Sequence, residues 1–185
     1  MSKTNITYHR ASTTEELKAI LDLQQKNLSD VLSGNEKEKE GFVTLRHDLD
    51  VLEKMNDACA HCIVKNNGKV VGYALSMLQD FRNDVPLLMP MFDEIDTVLE
   101  EKKSNLDYLV MGQICIDKSM RGQGVFRSLY AYMSEELKSD FDAIITEVDA
   151  KNERSSNAHR AVGFQILKKY ESNNQLWELI VLEIK

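Results

Sequence analysis

A short basic loop that contains two glycines, RGQG at residues 121–124, separates an apolar segment from an amphipathic one. This pattern predicts a strand, a tight loop and the first turn of a helix. Unpaired backbone N–H groups and the positive end of the helix dipole favour an anion at such a turn. Glycine lets the backbone approach a phosphate closely, and Arg121, Arg127 and Lys118 supply positive charge. The loop is therefore a candidate phosphate site.

Two common phosphate motifs do not fit this loop. A P-loop requires G-x-x-x-x-G-K-[ST], and the sequence has no such string. The dinucleotide fingerprint G-x-G-x-x-G fits at Gly122 and Gly124, but Arg127 stands where its last glycine belongs. The alternative that stays open is a helix start whose glycines serve only a tight turn.

The elements that must position the loop predict one mixed α/β sheet. Their order is βααββ, then an excursion over residues 79–106 with its own helical spacing, then βαβαββ. The segment after the loop carries apolar residues on one helical face, and Asn66-Asn67-Gly68-Lys69 is typical of a hairpin turn. Strands that alternate with helices and hairpins favour six or seven strands with helices on both faces. We expect a single domain over residues 1–185 and a mobile loop over residues 29–42.

Composition narrows the function classes. The net charge of −7 argues against nucleic acid as a partner; it fits either an acidic surface kept for solubility or a cationic substrate. No apolar run approaches the roughly 18 residues of a membrane span, and the first residues, MSKTNITYHR, lack the apolar core of a signal peptide. We therefore expect no membrane partner and a cytoplasmic location.

The three cysteines do not predict a metal site. Cys59 and Cys62 form C-x-x-C, but no second pair accompanies them and Cys115 lies in a distant apolar run. The C-x-x-C closes a predicted helix and opens a strand, the reverse of the thioredoxin order. Buried, reduced cysteines and no bound metal are expected.

Three segments resemble a known family, the GNAT superfamily of acyl-CoA N-acyltransferases. ICIDKSMRGQGVFRSLY is similar to its pyrophosphate-binding motif R-x-x-G-x-G/A, with Arg121 and Gly124 matching and Phe126 where the family has glycine or alanine. EVDAKNERSSNAHRAVGF resembles its E-V-x-x-x-N-x-x-A segment ending in Gly-Phe, with Ser155 in place of alanine and His159 in place of a frequent tyrosine. A third stretch, IVKNNGKVVGYALSML, resembles the hairpin before the cofactor strand. The resemblance covers most of the chain from about residue 5.

The resemblance implies transfer of an acetyl group from acetyl-CoA to a primary amine on a small molecule or peptide. Strand backbone should pair with the pantetheine arm and aim one N–H at the thioester oxygen, the loop should hold the pyrophosphate, and an asparagine should bind the pantetheine. The implied cofactor-binding residues are Ile114, Cys115, Ile116, Arg121, Gly122, Gln123, Gly124, Val125, Phe126, Arg127 and Asn152. A homodimer through the final strands is a further expectation.

Catalysis by this route requires two proton transfers. An alkyl ammonium has a pKa near 10.4, so a base must deprotonate it at pH 7. Glu147 stands where some family members have a catalytic glutamate; the alternative is a strand-end carboxylate that bonds to backbone. His159, as an imidazolium, could protonate the leaving thiolate; the alternative is a histidine that only packs beside the cofactor. We expect His159→Ala to lower kcat with little change in acyl-CoA affinity.

Other functions fit the same fold class, because a fold does not determine an activity. A non-catalytic coenzyme A sensor or an interaction module is favoured by Phe126 and by the missing tyrosine. A scaffold protein would not respond to coenzyme A, and an O-acyltransferase would need a stronger base. The acceptor is expected to bind between residues 28–48 and residues 79–106.

Overall fold

The computed structural model describes residues 5–32 and 42–185. Its core is one seven-stranded sheet with the strand order β1-β2-β3-β4-β5-β7-β6. All neighbouring strands are antiparallel except β4 and β5, which are parallel. The strands are β1 (Ile6–Arg10), β2 (Cys62–Asn66), β3 (Lys69–Met77), β4 (Tyr108–Ile116), β5 (Ala143–Asp149), β6 (Gln165–Ser172) and β7 (Gln175–Glu183).

Within the described residues, five α-helices pack on this sheet. They are α1 (Thr14–Lys26), α2 (Leu49–Ala58), α3 (Met89–Glu101), α4 (Val125–Leu137) and α5 (Glu153–Val162). The described parts of the chain therefore confirm the predicted element order, the mixed sheet and the helix within the excursion over residues 79–106. No helix in those parts is long and apolar enough to span a membrane.

Local sequence signals account for where several elements begin and turn. The Thr13 side chain accepts the N–H of Glu16, whose carboxylate returns to the Thr13 N–H, so a capping box starts α1. Asp48 caps α2 in the same way through the N–H of Val51. Asn67 and Gly68 both have positive φ and form the tight turn between β2 and β3.

Helices cover both faces of the sheet. On one face, α1, α2 and α3 bury side chains such as Ile20, Leu52 and Phe92. On the other face, α4 buries Leu129 and Met133 against β4 and β5. The extended apolar run of β4 is explained by this arrangement, because both faces of the strand are covered.

The sheet splits between β4 and β5. The parallel pairing is limited to three residues of each strand, Tyr108–Val110 of β4 and Ala143–Ile145 of β5. At the branch, the Thr146 hydroxyl donates to the Met111 carbonyl over 2.7 Å. Beyond it, β4 pairs with β3 alone and β5 with β7 alone, as far as the described residues go. One backbone edge of β4 is thus left open to a cleft.

The cysteines and the loop over residues 29–42 complete the comparison with the sequence. Cys62 and Cys115 are buried, Cys59 is half-buried, and all three are free thiols. Burial raises the pKa of Cys62 and of Cys115 to about 12, so both are inert thiols at neutral pH. The predicted mobile loop lies mostly at residues 33–41, outside the described residues.

Candidate active site

A cavity of about 450 Å³ lies beside the open edge of β4. Its walls are the open edge of β4, the glycine loop with the start of α4, and one side of α5. A short segment, Phe42 and Val43, closes one end. The lining residues are Asn27, Phe42, Val43, Ile114, Cys115, Ile116, Met120, Arg121, Gly122, Gly124, Val125, Phe126, Arg127, Asn152, Arg154, Ser155, Ala158, Ala161 and Val162.

The glycine loop presents a helix start to this larger cavity. Gly122 and Gly124 adopt φ values of 71° and 78°, which L side chains rarely tolerate. Gly124 is the cap residue of α4, and its carbonyl accepts the N–H of Ser128. The first N–H groups of α4 therefore have no partner within the helix and can bind an anion.

Three arginines line the larger cavity, with different surroundings. The Arg121 guanidinium is held by the Ile116 carbonyl at 2.9 Å and by the Asn27 side chain at 2.7 Å. Arg127 and Arg154 are exposed, and Arg127 donates to the Ala161 carbonyl. Arg121 thus braces the loop against β4 and α1, whereas Arg127 and Arg154 add positive charge at the rim.

A smaller cavity of about 90 Å³ lies on the other side of the same cleft. Part of its wall is apolar, from Leu45, Leu88 and Trp177, and its acidic side chains come from β5. The full lining is Phe42, Val43, Thr44, Leu45, Leu88, Met111, Gly112, Gln113, Ile114, Thr146, Glu147, Val148, Asp149, Asn152, Ser155, His159 and Trp177.

Glu147 is the group in the smaller cavity with the chemistry of a base. Burial raises the pKa of its carboxyl to about 7, and a hydrogen bond from the Tyr170 hydroxyl partly offsets that rise. A carboxyl with a pKa near the working pH is suited to general-base catalysis. Glu147 therefore has a side-chain partner, not the backbone partner of the alternative considered for a strand-end carboxylate.

The two cavities meet at five residues: Phe42, Val43, Ile114, Asn152 and Ser155. The Phe42–Val43 segment is tied to the fold, because Val43 exchanges backbone hydrogen bonds with Asn27 and Ser29. The Asn152 amide donates to the Phe42 carbonyl over 3.3 Å. A molecule in one cavity can therefore reach a molecule in the other only past these residues.

Comparison with known proteins gives the family. The model of the Acetyltransferase (GNAT) family matches residues 18–164, well over half of the chain. The chain belongs to the GNAT acetyltransferase family. No curated protein matches its sequence.

Solved structures of low sequence identity share the fold of this acetyltransferase-family chain. The ribosomal-protein-S18-alanine N-acetyltransferase from Escherichia coli is 16% identical, with a TM-score of 0.63 over 97% of this chain and 94% of that one. An N-acetyltransferase from Staphylococcus aureus Mu50 is 18% identical, with a TM-score of 0.62 over 98% and 99%. A NatC complex bound to Gag peptide and CoA is 14% identical, with a TM-score of 0.65 over 97% and 98%.

His159 of this GNAT-family protein lies in an aromatic cluster behind the smaller cavity. Its ring is 2% exposed and packs edge-on against Phe126, Tyr130 and Phe164. Burial lowers the pKa of His159 to about 4, so the ring is neutral at pH 7. An imidazolium at neutral pH therefore does not fit this environment, and a role in proton transfer stays a prediction.

Phe126 packs in the same aromatic cluster. Its side chain lies at the start of α4 and lines the larger cavity. The ring centroid is 5.2 Å from those of both Tyr130 and His159. The phenylalanine at the position where the motif has glycine or alanine thus packs on the histidine at the position of the frequent tyrosine.

Most residues implied by the resemblance line the two cavities. Of the cofactor candidates, Gln123 alone lies outside both linings; it is exposed, and its amide donates to the Ser119 carbonyl. The other ten line the larger cavity. Glu147 and His159 line the smaller cavity only. No group of three or more His, Cys, Asp or Glu residues able to hold a metal occurs within the described segments.

Several site residues carry no signal in the sequence. Gln113 is buried below the smaller cavity, where it bonds to Gln24, Tyr73 and the Leu45 carbonyl. These partners are separated from it by 40 to 89 positions along the chain. Tyr170 and Trp177 come from the final hairpin, whose alternation predicted strands but no function.

Proposed function

We propose that this chain is an N-acetyltransferase that moves the acetyl group of acetyl-CoA to a primary amine. Acetyl-CoA occupies the larger cavity and the amine enters the smaller one. The thioester then lies at the junction formed by Phe42, Val43, Ile114, Asn152 and Ser155. The observation that carries this proposal is a carboxyl with a pKa near 7 in the smaller cavity, which shares five lining residues with the larger one.

The larger cavity fits a long anionic thioester in shape and in chemistry. An open strand edge at Ile114–Ile116 can pair with the amides of a pantetheine arm, and one of its N–H groups can stabilise the oxyanion. The first N–H groups of α4, beside Arg127 and Arg154, suit a pyrophosphate. The structurally similar NatC complex holds CoA, which supports this assignment.

The amine must lose its proton before it attacks. Glu147, with a pKa near 7, is mostly able to accept that proton at or above neutral pH. Its carboxyl also favours the cationic form of the amine at first, and so draws the amine into the smaller cavity. The apolar surfaces of Leu88 and Trp177 exclude water from the same space.

The reaction proceeds by direct attack. The amine nitrogen forms a bond to the thioester carbon, and backbone N–H groups of β4 hold the developing oxyanion. Glu147, which has by then released the ammonium proton to water, takes the second proton from the nitrogen, directly or through water. The carbon–sulfur bond then breaks with its electron pair on sulfur, giving the amide and the CoA thiolate, which takes a proton from water.

Thiol release from acetyl-CoA tests this proposal. The purified protein is assayed against a panel of primary amines and peptides with free N-termini, and its melting temperature is measured with and without CoA. We expect CoA to raise the melting temperature and at least one acceptor to give enzyme-dependent thiol release. Glu147→Gln is the matched control, which should bind CoA and turn over slowly.

Two other outcomes of this experiment would contradict acetyl transfer. A melting shift with CoA but no turnover on any amine would favour a CoA-binding module. No shift at saturating CoA would exclude both functions. The homodimer stays a prediction as well, and light scattering on the purified protein tests it.

A further inference from the structure

Ser155 has an unusual place in the molecule, because it lines both cavities from the first turn of α5. Only two of the five junction residues, Asn152 and Ser155, carry polar side chains. The Asn152 side chain already makes two hydrogen bonds within the protein: its oxygen accepts the Ser155 N–H at 3.2 Å and its amide donates to the Phe42 carbonyl. The Ser155 hydroxyl is the other polar side-chain group at the junction, where the proposed acetyl transfer places the thioester.

Neighbouring groups leave the hydrogen of this hydroxyl available. Nδ1 of His159 is 2.8 Å from the Ser155 carbonyl oxygen, which only accepts, so Nδ1 carries the ring proton. Nε2 then accepts from the Tyr130 hydroxyl at 2.8 Å. The Ser155 hydroxyl oxygen is 3.3 Å from Nδ1, where it can accept but cannot donate. Its own hydrogen is therefore free to bind a group in the cavity.

We propose that Ser155 is a further catalytic residue, whose hydroxyl donates a hydrogen bond to the sulfur of the departing CoA thiolate. This inference rests on the proposed acetyl transfer and concerns the leaving group, which Glu147 does not serve. The carbon–sulfur bond breaks with its electron pair on sulfur, Ser155 keeps its proton throughout, and water later protonates the thiolate.

A hydrogen bond is sufficient help for this leaving group. Negative charge grows on the sulfur in the transition state, and a preorganised donor stabilises such charge without reorganisation. A thiol has a pKa near 8.5, so the thiolate does not need a strong acid near neutral pH. The neutral, buried His159 supports the arrangement from behind, because its bond to the Ser155 carbonyl fixes the first turn of α5.

Ser155→Ala tests the proposal with little risk to the fold. The cap of α5 uses the backbone N–H of Ser155, which alanine retains, and alanine is the best helix former. We expect kcat to fall by about tenfold or more, with the Kd for CoA unchanged. Ser128→Ala is the matched control, because it removes an exposed helix hydroxyl that lines neither cavity and should leave kcat unchanged.

A second measurement separates a donor to sulfur from a merely structural serine. The pKa of the bound CoA thiol is measured from thiolate absorbance in wild type and Ser155→Ala. We expect a lower thiol pKa in wild type, and equal affinities of both proteins for a CoA analogue that lacks the sulfur. Equal thiol pKa values would overturn the proposal. If wild type binds CoA but acetylates nothing, acetyl transfer fails, and the thiol pKa still decides the role of Ser155.

Discussion

The Tyr170 hydroxyl donates a hydrogen bond to the Glu147 carboxylate across the width of β7. Glu147 lies on β5 opposite Leu179, and Tyr170 lies on β6 opposite Trp177, so β7 sets their separation. Tyr170 is 8% exposed, and burial raises the pKa of its phenol, so it remains a donor at any working pH. Burial raises the pKa of Glu147 and this bond lowers it, which together give a value of about 7.

Tyr170→Phe should move the pH profile of acetyl transfer. Removal of the hydrogen bond destabilises the carboxylate, so the pKa of Glu147 rises above about 7. The acid limb of the kcat/KM profile should shift upward by about one to two pH units, since a bond to a charged group contributes roughly 1.5–3 kcal/mol. The profile is measured with the best acceptor from the amine panel.

Other ionisable groups near Glu147 define the control for this shift. Asp149 and His159 line the same cavity, and the Lys168–Glu94 ion pair lies beside Tyr170. These groups are unchanged in the variant, so they contribute equally to both profiles. Tyr132→Phe removes a tyrosine hydroxyl on α4, away from both cavities, and should leave the profile in place. Superimposable profiles for Tyr170→Phe and wild type would contradict a positioning role.

Glu147→Gln should separate catalysis from cofactor binding. Glutamine keeps the size of the side chain but cannot accept the amine proton, so we expect kcat/KM at pH 7.5 to fall by about 10²- to 10⁴-fold. Glu147 lines the smaller cavity only, so the Kd for CoA should stay within about twofold of wild type. Calorimetry with CoA and thiol release measure the two effects. A fully active variant would remove Glu147 as the base.

Gly124→Ala should weaken CoA binding by more than backbone strain explains. An L residue at φ 78° costs roughly 1–2 kcal/mol, and the added Cβ would occupy open space at a residue that lines the larger cavity. The variant should therefore lose stability and bind CoA at least about tenfold more weakly. Urea unfolding and calorimetry measure the two quantities.

Gly68→Ala is the matched control for this experiment. Gly68 has φ 79° and open space around its Cβ position, but it lies in the β2–β3 turn and lines neither cavity. It should lose similar stability and keep its affinity for CoA. If Gly124→Ala also keeps the wild-type Kd, the helix start does not hold the pyrophosphate.

The strands, the helices and the larger cavity could be predicted because their signals are local. Glycines in the loop, Asn-Gly in the turn and the Thr13–Glu16 capping box each act within a few residues. Glu147 and Asn152 are likewise close in the chain, because Glu147 lies on β5 and Asn152 caps the helix that follows it. Ten of the eleven cofactor candidates therefore reached the larger cavity.

The environment of the catalytic candidates could not be predicted, because it depends on distant strands. Tyr170 reaches Glu147 because β7 lies between β5 and β6 in the sheet, although it follows both in the chain. Burial among aromatic rings, which the sequence does not reveal, lowers the pKa of His159 to about 4. The ring is therefore neutral at pH 7, whereas the sequence led us to expect an imidazolium. The sequence shows Ser155 only as a serine at the position of a family alanine, and its place at the junction follows from the packing of α5.

His159→Gln should flatten the loss of stability in acid. The pKa of His159 is lowered from 6.5 to about 4, so between these values the unfolded chain binds a proton that the folded protein excludes. Stability due to this group is fully present above pH 6.5 and is lost as pH falls toward 4, by up to about 1.4 kcal/mol per pH unit.

Urea unfolding of both proteins measures this dependence. The slopes of stability against pH come from measurements at about pH 8, 6.5, 5.5 and 4.5, which cover the window between the two pKa values. The offset at pH 8 accounts for lost packing, and Glu147, whose raised pKa acts in the opposite sense, is common to both proteins. We expect the variant to have the shallower slope; parallel curves would mean that the ring is protonated in the folded state.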